Sequence, residues 1–161
     1  MSFKTRDYHE VEATLWSALP ERLRRSGRRS AWADANRVGE PADSFLEGPC
    51  FDAQDHLVLV DIPFDCILRV SPAGEWQVVA EYDGWPNGLQ VLPDGDDLVT
   101  DYRRGLLRIA AGTGKLSEQL ATRYSESFRG LNDLHLARNG TSTSLTRARP
   151  ACTTRPAASI A

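Results

Sequence analysis

No apolar run in this chain approaches the length needed to cross a membrane. The N-terminal stretch MSFKTRDYHE lacks the apolar centre of a secretory signal, so a cytoplasmic location is expected. Cysteine is scarce. Cys50, Cys66 and Cys152 lie far apart with no C-x-x-C spacing, which argues for free thiols in a reducing compartment rather than a disulfide framework. No G-x-S-x-G elbow is present, so nothing points to serine-hydrolase chemistry. Excess positive charge is also missing: the net charge of -3 implies no general binding of polyanions. Acidic residues, common elsewhere, vanish from the C-terminal stretch NGTSTSLTRARPACTTRPAASIA, Asn139 to Ala161.

The 161 residues suffice for one domain with a real core, and three zones can be told apart. Residues 1–40 form a leader. Val11, Leu15, Trp16, Leu19 and Leu23 recur at helical spacing and predict a short amphipathic helix, with Pro20 starting a further turn and Ser26-Gly27 a stop. The arginines at 22, 24, 25, 28 and 29 read as a solvated face rather than a nucleic-acid patch. Residues 41–140 carry no long helical pattern. HLVLVDI, CILRVS, WQVVAEY, LQVLPDG, DLVTDY and GLLRIA each read as a strand, joined by turns such as PAGE, PDGDD and GTGK, so an all-β domain is expected.

The strands repeat. EGPCFDAQDHLVLVDIPFDCILRV and PNGLQVLPDGDDLVTDYRRGLLRI present the same order of glycine, strand, acidic turn, strand ending in Asp, and strand. Gly48 maps to Gly88 and Asp61 to Asp101, a step of about 40 residues that suits propeller blades. LNDLHLARNG opens a third copy, with Leu134 matching Leu89 and Gly140 matching Gly95. A single blade cannot bury both of its faces, so such repeats need neighbours in a ring.

After Gly140 the repeat calls for a strand resembling DLVTD, and TSTSLTRARP stands there instead. Residues 141–161 are therefore expected to form a disordered tail. Two origins remain open: a native disordered segment, or a shifted reading frame. Inserting one base after Gly140 makes residue 141 Asp, Asn, His or Tyr, makes residue 142 Leu, Phe, Ile or Val, and repeats those choices at 143 and 144. Residue 145 becomes small, and residue 146 again becomes Asp, Asn, His or Tyr. With suitable first bases the segment reads DLYFTD, restoring a strand where one is due. The frameshift is the preferred reading.

The stretches LEGPCFD, LVLVDI, WPNGLQVLPDG and GLNDLHLARNG, in that order and at blade spacing, together resemble the senescence marker protein/gluconolactonase/luciferin-regenerating-enzyme family, which includes regucalcin and the drug-responsive lactonases. The resemblance covers residues 45–140. It implies a six-bladed β-propeller that holds a divalent metal in its central channel and hydrolyses a small-molecule lactone. This chain would then supply about two blades plus one strand, with a short N-terminal helix and a disordered tail. The resemblance places Glu47 as a metal ligand, a hard oxygen donor of the kind calcium takes. Asn132 would contact substrate or the metal's water, and Asn87, at the equivalent strand start, would face the same channel. Read without the resemblance, all three are ordinary turn residues, and Asp133 would brace the channel wall.

No catalytic residue is assigned with certainty, because the family's general-base Asp would lie beyond Ala161. The family's arginine falls two residues before its Asn, which is Gly130 here, so Arg129 is a poor substitute. Calcium is the favoured metal, with zinc, magnesium or manganese as alternatives. Asp61 and Asp101 are expected to be structural, and His9, His56 and His135 show no metal-ligand spacing. The expectation is a truncated, inactive relative of a metal-dependent lactonase, prone to self-association through exposed sheet edges. Neither a nucleic acid nor a membrane is expected as partner. The alternative is a non-catalytic β-propeller binding module.

Overall fold

The computed structural model describes residues 10–123, 126–127, 130–137, 142–146 and 159–160. Three antiparallel units follow one another. Strands β1 (Leu46–Phe51), β2 (Leu57–Asp61), β3 (Cys66–Val70) and β4 (Trp76–Glu81) form a four-stranded sheet in sequence order. A second sheet repeats it with β5 (Pro86–Val91), β6 (Asp97–Asp101), β7 (Gly105–Ile109) and β8 (Leu116–Leu120). A short ribbon, β9 (Thr122–Arg123) with β10 (Glu126–Ser127), leads to a third sheet of β11 (Leu131–Leu136), β12 (Ser142–Thr146) and β13 (Ser159–Ile160). Sheets of this kind, packed face to face around a common axis, are propeller blades, and the chain is all-β apart from one short helix.

The first strand of each blade pairs with the second in the same register. Leu46 faces Asp61, Pro86 faces Asp101, and Leu131 faces Thr146. In all three the ladder is interrupted near the start of the first strand: after Pro86 and Leu131 at equivalent positions, and one residue later, after Glu47, in the first blade. A bulge of this type bends the strand and re-aims its side chains. β12 pairs with β11 where the repeat calls for a second strand, within the segment expected to be a disordered tail. Its Ser and Thr residues suit an extended ladder well enough to take the place. The rest of residues 141–161, Cys152 included, lies outside the described residues.

Strict alternation splits each strand between two faces. Val58, Val60 and Ile67 of the first blade pack against Leu89, Val99, Leu107 and Ile109 of the second, forming the inter-blade core. Leu59, Cys66, Leu68 and Val70 point to the opposite face. That face is covered by the leader: Leu19 and Leu23 pack on it beside Trp76. Ser17 donates to the Gly74 carbonyl at 3.2 Å and accepts from the Trp76 indole at 2.8 Å.

The amphipathic helix expected from Val11 to Leu23 does not form. Residues 10–20 have no regular structure, and Val11 and Leu15 are each 85% exposed. A segment this short is marginal as a free helix, and Leu19 and Leu23 are instead taken up by blade packing. Pro20 does begin a turn, with its carbonyl accepting from the Leu23 and Arg24 amides. The one α-helix among the described residues, α1 (Ala31–Asn36), comes later and is capped by Ser30, which accepts from the Ala33 amide. The arginine run is locally engaged. Arg25 pairs with Glu81, Arg29 with Asp34, Arg24 lies near Glu21 and Asp43, and Arg22 donates to the Trp76 carbonyl. No helix among the described residues is long and apolar enough to cross a membrane.

Candidate channel site

The first two blades begin with the same construction. An amide just ahead of the first strand is held by an Asp that ends the second: Phe45 donates to Asp61 at 3.0 Å and Trp85 to Asp101 at 2.7 Å. Asp101 also accepts from the Arg103 and Arg104 amides. Both carboxyls are almost fully buried, and burial pushes both above the usual carboxylate range, against the pull of those donors. Asp61 and Asp101 thus act structurally, fixing where each inner strand starts.

Two residues after that held amide come Glu47, Asn87 and, in the third blade, Asn132. The register makes them equivalent positions. The structure brings all three to the wall of one cavity of about 160 Å³. The residue that follows explains how they come close. A Cβ on Gly48 would lie 2.5 Å from the Asn87 carbonyl oxygen, and one on Gly88 would lie 2.8 Å from that of Asn132. The glycines let neighbouring inner strands approach to a distance that any side chain would prevent. Thr100, wholly buried, completes the contact: its hydroxyl accepts from the Gly88 amide at 2.9 Å and donates to the Asn132 carbonyl at 2.6 Å.

Asn132 itself donates to Asp133 at 3.2 Å. Arg129 lies outside the described residues, as does His9. His56 is held by Asp52, Nδ1 to Oδ2 at 2.9 Å, in the first blade's β1–β2 turn. His135 is an exposed residue of β11 facing Thr143. Among the described residues no three His, Cys, Asp or Glu side chains converge to hold a metal ion. The cavity's donor set is one carboxylate and carboxamide oxygens, all hard ligands of the type that suits calcium or magnesium. With a single negative charge it matches such a cation in kind but falls short of what tight binding requires.

Most of the remaining wall was not foreseen. Trp32 and Asn36 come from α1, Phe45 and Trp85 precede their first strands, and Ile62 and Tyr102 follow the second strands. Trp32 and Phe45 lie with ring centroids 5.9 Å apart, and Trp85 and Tyr102 5.6 Å apart. The Arg37 guanidinium sits over both Trp32 and Phe45, and that of Arg103 over Trp85. A sequence signal did exist for part of this: an aromatic two residues before Glu47 and two before Asn87. Trp32 had none, because only the docking of α1 on the Ile62–Phe64 turn carries it to the cavity.

Solved structures share this architecture. A gluconolactonase from Xanthomonas campestris superposes with a TM-score of 0.59 at 21% identity, covering 75% of this chain and 43% of its own. Regucalcin from Agrobacterium tumefaciens, a calcium-binding protein, gives 0.50 at 15% identity, covering 66% and 41%. A catalytically inactive variant of virginiamycin B lyase from Staphylococcus aureus gives 0.52 at 16% identity, covering 69% and 40%. No protein-family model matches the chain, and no curated protein matches it. The chain spans under half the length of the solved structures described here. At these identities the likeness defines a β-propeller sector. Because hydrolases and a lyase share the fold, the chemistry has to be argued from the site.

Proposed function

We infer that the channel site belongs to a metal-assisted lactone hydrolase of the gluconolactonase kind. The observation that carries this reading is the convergence of Glu47, Asn87 and Asn132, one from each of three successive blades, on a single cavity. Hard oxygen donors lining one cavity suit a divalent cation, calcium first, with magnesium, manganese or zinc as alternatives. When bound, such a cation polarises a carbonyl and makes bound water more acidic. The part played by this chain's own residues is narrower. Glu47 supplies the negative charge, Asn87 and Asn132 supply neutral oxygens and amide donors to position a ring ester, and the surrounding aromatic side chains exclude water. The similarity to a gluconolactonase and to a calcium-binding regucalcin supports the reading.

The same inventory argues that the 161-residue chain is inactive or nearly so. Among the described residues no second carboxylate or imidazole lines the cavity to serve as general base, and one charged ligand gives weak affinity. The rival reading is a non-catalytic propeller module, favoured by the lack of a three-ligand metal cluster among the described residues. Calorimetric titration of calcium and manganese into the wild-type chain and into Glu47→Gln separates the two. A metal site predicts weak binding that Glu47→Gln abolishes, together with no metal-stimulated turnover of gluconolactone. Metal binding indifferent to Glu47→Gln would refute the metal role, and robust turnover would refute the inactivity.

A further inference from the structure

The face of the first sheet that lies away from the second blade is apolar from its inner strand to its outer one. Residues paired across strands share a face, and the rows on this one are Phe51, Leu57, Val70 and Trp76, then Leu59, Leu68 and Val78. The leader covers only the middle. Leu19 and Leu23 pack there, while Phe51 stays 63% exposed and Val78 39%. We propose that residues 17–25 are a releasable cap on this face, and that a second copy of the chain docks on it, through the same face, when the cap leaves.

The second blade shows what an equivalent face looks like when another sheet covers it. By register its rows are Val91, Asp97, Ile109 and Leu116, then Val99, Leu107 and Glu118. Val58, Val60 and Ile67 of the first blade lie against it, in the place that Leu19 and Leu23 take on the first blade. Each row there carries a carboxylate, where the first blade has Leu57 and Val78. Burial pushes the Asp97 carboxyl up, and the Arg69 guanidinium of the first blade opposes that. Arg69 and Arg108 hold the same register position, opposite Val58 and Leu98. A blade of this kind stacked on the first sheet would bring its guanidinium over Leu57, where no carboxylate receives it, and a buried unpaired charge is costly.

A second apolar face carries no such penalty. Two copies related by a twofold axis set the same rows against each other, as sheets do when they pack face to face. The far surface of the third blade is a poorer match, because an exposed Thr143 stands there at the position of Val58 and Leu98. The cap itself is built to let go. Residues 10–20 have no regular structure, and neither Leu19 nor Leu23 is fully buried. Ser17, Arg22 and Arg25 tie the segment to Gly74, Trp76 and Glu81, at the outer edge of the sheet. Two leucines cover less than a sheet would, which is why Phe51 and Val78 are left in solvent.

Sedimentation velocity on the full chain reads the association, and alkylation of Cys66, buried in this face, reads the cap. Leu19→Glu/Leu23→Glu should lower the dimer dissociation constant about tenfold or more, because two leucines no longer compete for the face. In dilute solution the same variant should be alkylated faster at Cys66 by iodoacetamide, as located by peptide mass spectrometry. Adding Phe51→Glu/Val78→Glu should return it to monomer, and so should a synthetic peptide of residues 15–26 supplied in trans. If the leader variant fails to fold, Phe51→Glu/Val78→Glu alone, at exposed positions, must weaken the association of the otherwise wild-type chain at high concentration. A folded leader variant that stays monomeric, or Cys66 alkylation that the leader substitutions leave unchanged, would overturn the proposal. Association indifferent to the charges at 51 and 78 would also overturn it, and would place self-association at the open sheet edges instead.

Discussion

Asp65 offers a sharp test of the packing at the blade interface. It ends the turn after β2 with a left-handed backbone, φ 56°. One of its carboxylate oxygens is buried and unpartnered. Burial, with Asp83 and Asp101 nearby, pushes its carboxyl up to about 7, against the pull of Arg103 and Arg25. A group whose folded value is raised stays protonated in the native state while the unfolded chain has already ionised. Its contribution to stability is therefore complete below 3.8 and is lost as pH rises through about 7. At about 1.4 kcal/mol per pH unit the whole effect is bounded near 4 kcal/mol, and partial solvent access reduces it to about 2 kcal/mol.

Asp65→Asn removes the titration and keeps a residue that tolerates the left-handed backbone. At pH 8 the variant should be more stable than wild type by about 2 kcal/mol, a rise in Tm of roughly 4–8 °C for a domain of this size. At pH 5, a little over a third of the way from 3.8 to about 7, the gap should shrink to about a third of that at pH 8. Thermal unfolding followed by circular dichroism at both pH values is sufficient. Equal shifts at the two pH values, or destabilisation at pH 8, would show that Asp65 is not held neutral by its surroundings.

Two further expectations concern the blades themselves. Gly88→Ala places a Cβ within 3 Å of the Asn132 carbonyl and of the Thr100 hydroxyl. It should cost about 1–3 kcal/mol, read as a lower urea midpoint, and wild-type stability would refute the close approach of the inner strands. Thr146 stands at the register of Asp61 and Asp101, the very position at which a one-base shift yields Asp, Asn, His or Tyr. Nucleotide sequence past the codon for Ala161, read in the shifted frame, should stay open for roughly 130–150 codons at blade period. An early stop would instead favour a native tail.

The blades were legible because alternation is a local signal. Leu57–Asp61, Cys66–Val70 and Gly105–Ile109 emerge directly from runs in which apolar residues face a core on both sides. β8, LSEQL, was missed because an edge strand exposed along its middle has no apolar pattern to read. The leader misled for a related reason: helical spacing at Val11, Leu15 and Leu19 records where apolar residues fall, not which surface receives them. At the site, Glu47 and Asn132 came from the family resemblance and Asn87 from the equivalent strand start; the structure adds that the three share one register position. Thr100 and Trp32 were not legible, since their roles arise from one strand touching the next blade and from a helix seated on a distant turn.

Paramagnetic NMR tests the central claim most directly. Manganese at substoichiometric concentration should selectively broaden the side-chain amide resonances of Asn87 and Asn132. Glu47→Gln should abolish the effect. Broadening centred elsewhere, or unchanged in that variant, would contradict a cation site shared by three consecutive blades.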